Sequence, residues 1–181
     1  METRRLKSKI CLVGEKAVGK TSLIRRYVLD EFDDRYITTI GTKVSKKEME
    51  FDAAGVHIQL DMTIWDIMGE KGFRELLKEA YFYGANGVLA VADITRKKTL
   101  TDLDDWIDST MKEAGKVPVL ITVNKVDLED EAEYGDKEAT EIAKAFEAPF
   151  TYASAKSAEG VEAAFEQLGR MVIESQLGIA L

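Results

Sequence analysis

The first stretch of the sequence that could do chemistry is residues 14–21, Gly-Glu-Lys-Ala-Val-Gly-Lys-Thr. It matches the pattern G-x-x-x-x-G-K-[ST], in which the glycines let the backbone wrap closely around phosphate oxygens. Lys20 would reach the outer phosphates, and the hydroxyl of Thr21 would bind Mg²⁺. Taken alone, the same residues also fit an ordinary turn and helix start, so the surrounding elements must decide between the two interpretations.

Two polar segments further along the chain could bind a nucleotide base. Residues 124–127 are Asn-Lys-Val-Asp and residues 154–156 are Ser-Ala-Lys. Asp127 can accept two hydrogen bonds from guanine, at its ring N–H and its exocyclic amino group. Adenine lacks that ring N–H and would leave a buried carboxylate partly unpaired, which is expensive.

The other residues of these two segments suit the faces and the carbonyl of the same base. The backbone N–H of Ala155 could donate to the guanine carbonyl, and the stems of Lys125 and Lys156 could cover the ring faces. Either segment alone reads as a plain polar loop. Their joint position, each directly after a strand-like run, favours guanine binding.

The elements that must position these segments alternate between strand-like and helix-like patterns. Apolar runs predict strands over residues 10–13, 42–51, 56–65, 87–91, 117–123 and 150–153. The turn signal Ala-Ala-Gly at residues 53–55 predicts a hairpin. Helical spacing of apolar residues predicts helices within residues 21–29, 100–111, 138–146 and 161–172. We therefore expect an α/β fold with a six-stranded, mostly parallel sheet, one antiparallel edge strand and helices on both faces. In such a sheet ligands bind beyond the carboxyl ends of the strands, where all three segments fall.

Size and charge narrow the class of protein. A chain of 181 residues suits one domain, residues 1–181. The net charge of −8 argues against a protein that coats nucleic acid, although a local nest of N–H groups can still bind phosphate. The single cysteine, Cys11, permits no internal disulfide, so we expect a reducing cytoplasm and a small buried side chain. No apolar run approaches the ~20 residues of a membrane span, and the sequence ends without a cysteine, so we expect no stable membrane anchor.

With these motifs in this order, residues 9–173 resemble the Ras superfamily of small GTPases. The Rab branch is the most similar, from residues 36–41, Tyr-Ile-Thr-Thr-Ile-Gly, and from Trp65-Asp66 followed by Gly69. The resemblance implies a P-loop NTPase fold of the small G-protein type, with Mg²⁺ as cofactor and GTP and GDP as ligands. It implies a monomer whose switch loops, within residues 38–49 and 67–83, are recognised by effector or regulator proteins. Only 2 Asn and 3 Gln occur, which is typical of a thermophilic source, and we expect a prokaryotic, archaeal-like member.

The resemblance also implies individual roles. Thr39 would bind Mg²⁺ through its hydroxyl and the γ-phosphate through its N–H, while Tyr36 would lie over the phosphates. Phe32 would pack edge-on against guanine, although it also fits a core position. Asp66 would hold Mg²⁺ through a water, and Gly69 would offer its N–H to the γ-phosphate. The complete nucleotide-binding set is Gly14, Glu15, Lys16, Ala17, Val18, Gly19, Lys20, Thr21, Ser22, Phe32, Tyr36, Thr39, Asp66, Gly69, Asn124, Lys125, Asp127, Ser154, Ala155 and Lys156, with Thr21, Thr39 and Asp66 at the metal.

Two residues depart from the family pattern, and with Lys20 and Thr39 they complete the candidate catalytic set. Glu70 stands where the family has a water-positioning glutamine, and an ionised glutamate can only accept hydrogen bonds. Lys16 stands where many members have glycine or another small residue. One hypothesis is that intrinsic GTP hydrolysis is slow and activation by an external arginine is impaired. Another is that the two residues form a catalytic pair of their own, and a third is that both are solvated loop charges.

Three functions remain open at this point. The first is a GTP/GDP-dependent switch with weak GTPase activity, and the second is a GTP-binding scaffold with little or no hydrolysis. The third is a P-loop kinase, which would need a mobile lid with several arginines and would leave residues 124–127 and 154–156 unexplained. His57 reads as a solvated strand residue. The basic stretches at residues 4–9 and 96–98 could contact a membrane or a partner, but short charge runs are usually solvated.

Overall fold

The computed structural model describes residues 1–35, 41–67 and 69–181, and within them six strands form one sheet. The strands are β1 (Glu2–Val13), β2 (Thr42–Ala53), β3 (Val56–Ile67), β4 (Gly87–Asp93), β5 (Val119–Asn124) and β6 (Phe150–Tyr152). The helices are α1 (Lys20–Leu29), α2 (Lys71–Phe82), α3 (Lys97–Thr101), α4 (Leu103–Ala114), α5 (Asp136–Ala145) and α6 (Val161–Leu177), with a 3₁₀ helix at Val126–Glu131. None of the helices in the described part of the chain has the length and apolarity that crossing a bilayer requires.

The sheet is parallel except at one edge, as predicted. Its strand order is β2-β3-β1-β4-β5-β6, and only β2 runs antiparallel to its neighbour. β1 pairs with β3 on one side and with β4 on the other. The chain forms β2 and β3 on the first side before it crosses through α2 to β4, so the direction of winding reverses at β1. That point is where ligands bind in doubly wound sheets.

Two apolar cores cover the two faces of the sheet. Alternate residues of β1 divide between them: Ile10 and Leu12 pack with α1 and α6, while Cys11 and Val13 pack with α2, α4 and α5. β4 is buried on both faces along its whole length, as expected for a central parallel strand. The two cores hold the sheet rigid below the loops at its carboxyl edge.

The predicted hairpin is present, and its turn is two residues long. Ala53 pairs with Val56, and both residues of the turn, Ala54 and Gly55, have positive φ angles of 51° and 77°. Two positive φ angles are the requirement of a type I′ turn, whose twist matches that of the flanking strands.

Several predicted boundaries were wrong. β1 begins at Glu2 rather than residue 10, because it pairs with β3 over its length although one of its faces is polar. The basic residues 4–9 therefore lie within a strand. The helix expected across residues 100–111 is divided at Asp102 into α3 and α4. β5 begins after Pro118, whose ring nitrogen cannot donate to a neighbouring strand.

Candidate functional site

The loop between β1 and α1 depends on its two glycines. Gly14 and Gly19 have φ angles of 141° and 99°, in the region that side chains disfavour. A Cβ atom at Gly14 would lie 2.3 Å from the carbonyl oxygen of Val91, and one at Gly19 would lie 2.3 Å from Nδ2 of Asn124. No larger residue fits either position without moving the sheet edge, so this loop conformation requires glycine at both.

Five successive carbonyl groups of this loop accept hydrogen bonds from side chains. Lys20 Nζ donates to the carbonyls of Gly14 (2.7 Å) and Glu15 (2.9 Å), Arg96 Nη2 to Lys16 (3.0 Å), Lys125 Nζ to Ala17 (2.8 Å) and Asn124 Nδ2 to Val18 (2.9 Å). The N–H groups of residues 15–19, in contrast, donate to no acceptor within the described part of the chain. A run of unpaired N–H groups at a helix N-terminus is an anion-binding nest. A loop with this arrangement can receive an anion such as a phosphate.

Lys20 is the buried cation of this loop. It is 5% exposed, and burial lowers its pKa to about 8, although the nearby carboxylates of Asp66 and Glu15 partly oppose the shift. Its contacts with two carbonyl oxygens do not neutralise its charge. An anion in the nest would do so.

Thr21 and Asp66 form the second polar pair of the site. Thr21 Oγ1 donates to Asp66 Oδ2 at 2.5 Å, while Asp66 Oδ1 is buried without a hydrogen-bond partner. Burial raises the pKa of Asp66, although the Thr21 hydrogen bond and the Lys20 charge partly offset it. A hydroxyl beside a carboxylate oxygen that lacks a partner is a donor set suited to a hard divalent cation. Within the described residues no three His, Cys, Asp or Glu side chains form a cluster that could hold a metal ion. A cation at this pair would need further oxygens, for which a phosphate ligand and the predicted Thr39 hydroxyl are the candidates.

The segments expected to bind a base meet beside the loop. β4 and β5 end in register, and the residue after β5, Lys125, is held in a left-handed conformation with φ 68°. Ser154 Oγ donates to Asp127 Oδ1 at 2.6 Å. The N–H of Ala155 donates to Asn124 Oδ1 at 3.2 Å, so a base carbonyl would have to share or replace that bond.

One cavity of about 390 Å³ joins these groups. Of the predicted nucleotide-binding residues, those on its wall are Lys16, Ala17, Gly19, Lys20, Thr21, Ser22, Phe32, Gly69, Asn124, Lys125, Asp127, Ala155 and Lys156. Phe32 also packs partly buried against the apolar core, so it has the core position, and its contact with guanine stays a prediction. Glu70, the candidate catalytic residue, lies on the same wall.

Among the described residues, the other predicted ones do not line that cavity. Asp66 lines a smaller cavity of about 110 Å³ that shares Thr21 with the larger one. The side chain of Glu15 accepts from Trp106 Nε1 at 3.3 Å in α4, so only its backbone belongs to the nest. Ser154 is fully buried and reaches the site only through its hydrogen bond to Asp127. Gly14 and Val18 contribute backbone groups to the loop. The predictions for Tyr36 and Thr39 lie outside the described residues.

Lys16 and Glu70 approach the cavity separately. No ion pair joins the two side chains within the described parts of the chain, and both residues are exposed. Gly69 lies between them: a Cβ atom there would be 2.5 Å from the backbone nitrogen of Lys16, so only glycine allows this approach. Glu70 is the residue directly before α2, and its carbonyl accepts from the N–H groups of Phe73 and Arg74.

Sequence reasoning missed three residues that support the site. Arg26 donates to the carbonyls of Ala155 (2.8 Å) and Lys156 (2.9 Å), which ties the base segment to α1. Asp93 binds Lys125 Nζ at 2.8 Å, and Arg96 binds the Lys16 carbonyl. Asp93 is the last residue of β4, at the same edge as the other site residues, so its position could have indicated a role in the site. No local sequence pattern indicates that Arg26 contacts the site.

Two residues that were expected to be solvated have side-chain partners. Arg96 is engaged with the phosphate loop rather than free in a basic run. His57 is only 25% exposed at its side chain, and its Nδ1 lies 2.8 Å from Asp52 Oδ1 across the hairpin.

Comparisons with known proteins show which family the chain is similar to. A family model described as the Ras family matches residues 9–174. Ras-related protein Rab-18-B of Danio rerio is 33% identical over 169 residues, covering 92% of this chain and 80% of its own. Ras-related protein SEC4 of Candida albicans is 31% identical over 170 residues, covering 93% of this chain and 79% of its own. Ras-related protein Rab-13 of Rattus norvegicus is 32% identical over 166 residues, covering 91% and 79%.

Proposed function

The chain belongs to the Ras family of small GTPases, and from that premise we propose that it is a GTP/GDP-dependent switch that binds Mg²⁺ and hydrolyses GTP slowly. The observation that carries the proposal is the single cavity in which the anion nest of residues 14–21 meets Asp127. Its volume of about 390 Å³ is within the range of small-molecule sites. Family membership also leaves the kinase alternative without support.

Base selection rests on Asp127 in this proposal. Ser154 fixes one carboxylate oxygen, and the carboxylate lies on the cavity wall, where guanine can donate from two N–H groups. Adenine would leave this carboxylate without its ring N–H partner, so GTP binds more tightly than ATP. Lys125, held by Asp93 and the carbonyl of Ala17, covers one face of the ring with its stem.

Phosphate binding rests on the loop and Lys20. The N–H groups of residues 15–19 and the Lys20 ammonium hold the phosphate oxygens, and Thr21 and Asp66 would hold Mg²⁺. When bound, the ion supplies positive charge to the phosphate oxygens as charge develops on them. The backbone of Gly69 lies against that of Lys16, and beside a bound nucleotide its contacts would change with the number of phosphates.

Slow hydrolysis follows from Glu70. A carboxylate on the cavity wall accepts from an attacking water but cannot donate to the transferring phosphoryl group. The second candidate function is a GTP-binding scaffold, which would result if the Glu70 carboxylate suppressed hydrolysis completely. Phosphate release followed over hours with purified, GTP-loaded protein distinguishes the two.

The partner surface is proposed to lie in the two switch regions. Within residues 67–83, the described apolar side chains with the greatest exposure are Phe73, Leu76, Leu77 and Tyr83, and Val44 lies exposed on β2. An effector that recognises the GTP state would cover them. A cytoplasmic location, a monomeric state and a prokaryotic source stay predictions, the last supported only by the scarcity of Asn and Gln.

The proposal is tested by competition against a fluorescent GDP analogue. GTP and GDP are expected to displace the analogue at far lower concentrations than ATP. Lys20→Ala is expected to weaken the binding of both GTP and GDP, because it removes the buried cation. Asp127→Ala is expected to reduce the preference for guanine over adenine. The nucleotide that co-purifies with the protein, identified by chromatography, gives an independent readout.

Asp130→Ala is the matched control for Asp127→Ala. It removes an exposed carboxylate from the same 3₁₀ helix but outside the cavity wall, and it should leave both affinities unchanged. Equal displacement by ATP and GTP, or undiminished GTP binding by Asp127→Ala and Lys20→Ala, contradicts the proposed function.

A further inference from the structure

Arg96 makes the only side-chain contact to the Lys16 carbonyl among the described residues. Its Nη2 donates to that oxygen at 3.0 Å from the loop that follows β4. The neighbouring carbonyls are held by Lys20, Lys125 and Asn124, all of which belong to the motifs of the site. Arg96 thus completes a set of donors whose other members lie in the recognised nucleotide-binding segments.

Asp93 fixes the position of Arg96. Its carboxylate is 1% exposed and accepts four hydrogen bonds: Oδ1 from the N–H and hydroxyl of Thr95 (2.9 and 2.7 Å), and Oδ2 from Arg96 Nε (3.1 Å) and Lys125 Nζ (2.8 Å). Burial alone would raise the pKa of Asp93, but the hydrogen bonds from Lys125 and Thr95 outweigh it and lower the pKa. The ionised carboxylate therefore binds both Arg96 and Lys125, and each of these side chains donates a hydrogen bond to a carbonyl of the phosphate loop.

The conformation of Ala17, which lies between the peptides held by Arg96 and Lys125, explains why these hydrogen bonds matter. Ala17 has a φ angle of 63°, in the left-handed region that a residue with a Cβ atom disfavours. The peptide on its N-terminal side can relax by rotating, and rotation would turn the Lys16 carbonyl toward the cavity. A carbonyl oxygen there would repel a phosphate that the N–H group attracts. Arg96 opposes this rotation.

From this geometry we propose that Arg96, held by Asp93, is a positioning residue of the phosphate loop that slows nucleotide release. The proposal rests on the proposed function, because it presumes that a nucleoside diphosphate occupies the nest. Arg96 touches neither base nor phosphate in this proposal; it acts through the Lys16 peptide.

The test is the dissociation rate of fluorescent GDP, measured in the presence of Mg²⁺ with an excess of unlabelled GDP. Arg96→Met keeps the apolar stem and removes the donors, and it should speed release about fivefold, the factor expected for one ordinary hydrogen bond. Lys98→Met is the matched control, since it makes the same charge change at an exposed residue of the same basic stretch. It should release GDP at the wild-type rate.

A second readout separates positioning from a general loss of stability. The phosphorus resonance of the β-phosphate of bound GDP should move in Arg96→Met and stay in place in Lys98→Met, because only the first alters the nest. Asp93→Asn should also speed release, and adding Arg96→Met to it should have little further effect if both act through one arrangement. If Asp93→Asn does not fold, the comparison of Arg96→Met with Lys98→Met still tests the proposal.

Wild-type release rates and an unmoved β-phosphate resonance in Arg96→Met overturn the proposal, as does equal acceleration in Lys98→Met, which would be a general charge effect. These outcomes differ from failure of the proposed function. In that case the wild type itself would retain no guanine nucleotide, whereas here it retains GDP and only the variants decide.

Discussion

Lys20 and Asp66 carry opposite charges in the most buried part of the site, and neither is fully paired by the protein. Lys20 contacts two carbonyl oxygens rather than a carboxylate, and Asp66 leaves one oxygen without a partner. Buried charges of this kind are costly unless a ligand completes them. At the scale of the residue, the site is therefore organised around groups that an anion and a cation would each satisfy.

Glu70 offers a test of hydrolysis at the same scale. Glu70→Gln is expected to raise the single-turnover rate of GTP hydrolysis about tenfold, because an amide can both accept from water and donate toward the phosphoryl oxygens. Hydrolysis is measured on GTP-loaded protein with Lys16→Gly in parallel. Glu79→Gln, on an exposed position of the same helix, is the control and should leave the rate unchanged.

The result has a clear contrary outcome. If both Glu70→Gln and Lys16→Gly lowered the rate, the two side chains would be working together in catalysis, and slow hydrolysis could not be assigned to the lost glutamine. The absence of an ion pair between Lys16 and Glu70 in the described parts of the chain favours independent effects.

Cys11 gives a residue-scale prediction about the core. Burial raises the pKa of its thiol to about 12, although Lys9 nearby partly opposes the shift. Since the thiolate is the reactive form, the native protein at about pH 8 should resist alkylation by iodoacetamide. The same sample should label fully in denaturing guanidinium chloride, which serves as its control. Rapid labelling of the native protein would show that this strand opens readily.

Among the elements, α2 is the helix with an unusual balance of burial. Of its residues only Arg74, Tyr81 and Phe82 are buried, while Leu76 is 80% exposed. Arg74 anchors it to α4 by donating to Asp105 at 2.9 Å and by stacking over Trp106, 4.6 Å from the ring centroid. Arg74 is thus the one buried anchor of the first turns of α2, whereas Tyr81 and Phe82 hold its last turn in the core.

The same balance explains what the sequence could and could not predict. Strands β3, β4 and β5 and helix α6 have strong apolar patterns because they are buried, so their type and order followed from periodicity. α2 was not predicted, since its apolar residues include an exposed group and its anchor is an arginine. The polar half of β1 was missed because its pairing with β3, a contact across more than 50 residues, is invisible to a local pattern.

The site divides along a similar line. Residues 14–21, 124–127 and 154–156 were predictable, because each motif follows a strand directly and the strands share one edge. Arg26 and Arg96 act through backbone carbonyls of other segments, and such contacts leave no spacing signal in the sequence. Glu15 shows the converse, since its place in the motif gave no hint that its side chain binds Trp106 in α4.

The contribution of Arg74 to the anchoring of α2 can be measured by substitution. Arg74→Ala should lower the free energy of unfolding by about 1–2 kcal/mol, because it removes the contact with Trp106 and the Asp105 ion pair. Both variants eliminate two buried donors that lack partners, Nε and Nη1, and Arg74→Met should cost less than Arg74→Ala because it keeps an apolar stem against Trp106. Urea denaturation measures both, and Lys78→Ala, which removes a half-exposed cation of the same helix, is the control. Equal losses for Ala and Met would mean that the charge, not the packing, anchors the helix.

The whole molecule separates stability from ligand binding in space. Two apolar cores hold the sheet from either face, and the loops that line the cavity lie beyond its carboxyl edge. The net charge of −8 does not attract a polyphosphate from a distance, so binding depends on the local nest. Loops with partly unsatisfied groups are where a ligand that binds only the folded state adds stability.

Thermal unfolding measures that linkage for the complete molecule. GDP with Mg²⁺ at about a hundred times the dissociation constant should add about 2.7 kcal/mol, which corresponds to a rise of about 5–10 °C in the unfolding midpoint for a chain of this size. Chelating the metal should reduce the rise, because Thr21 and Asp66 then lose the cation that joins them to the phosphates. ATP at the same concentration should give a much smaller rise, and Asp127→Ala should lose most of the GDP effect while its unliganded midpoint stays close to that of Asp130→Ala. An equal rise with ATP would mean that the nest alone binds the nucleotide and that Asp127 does not select the base.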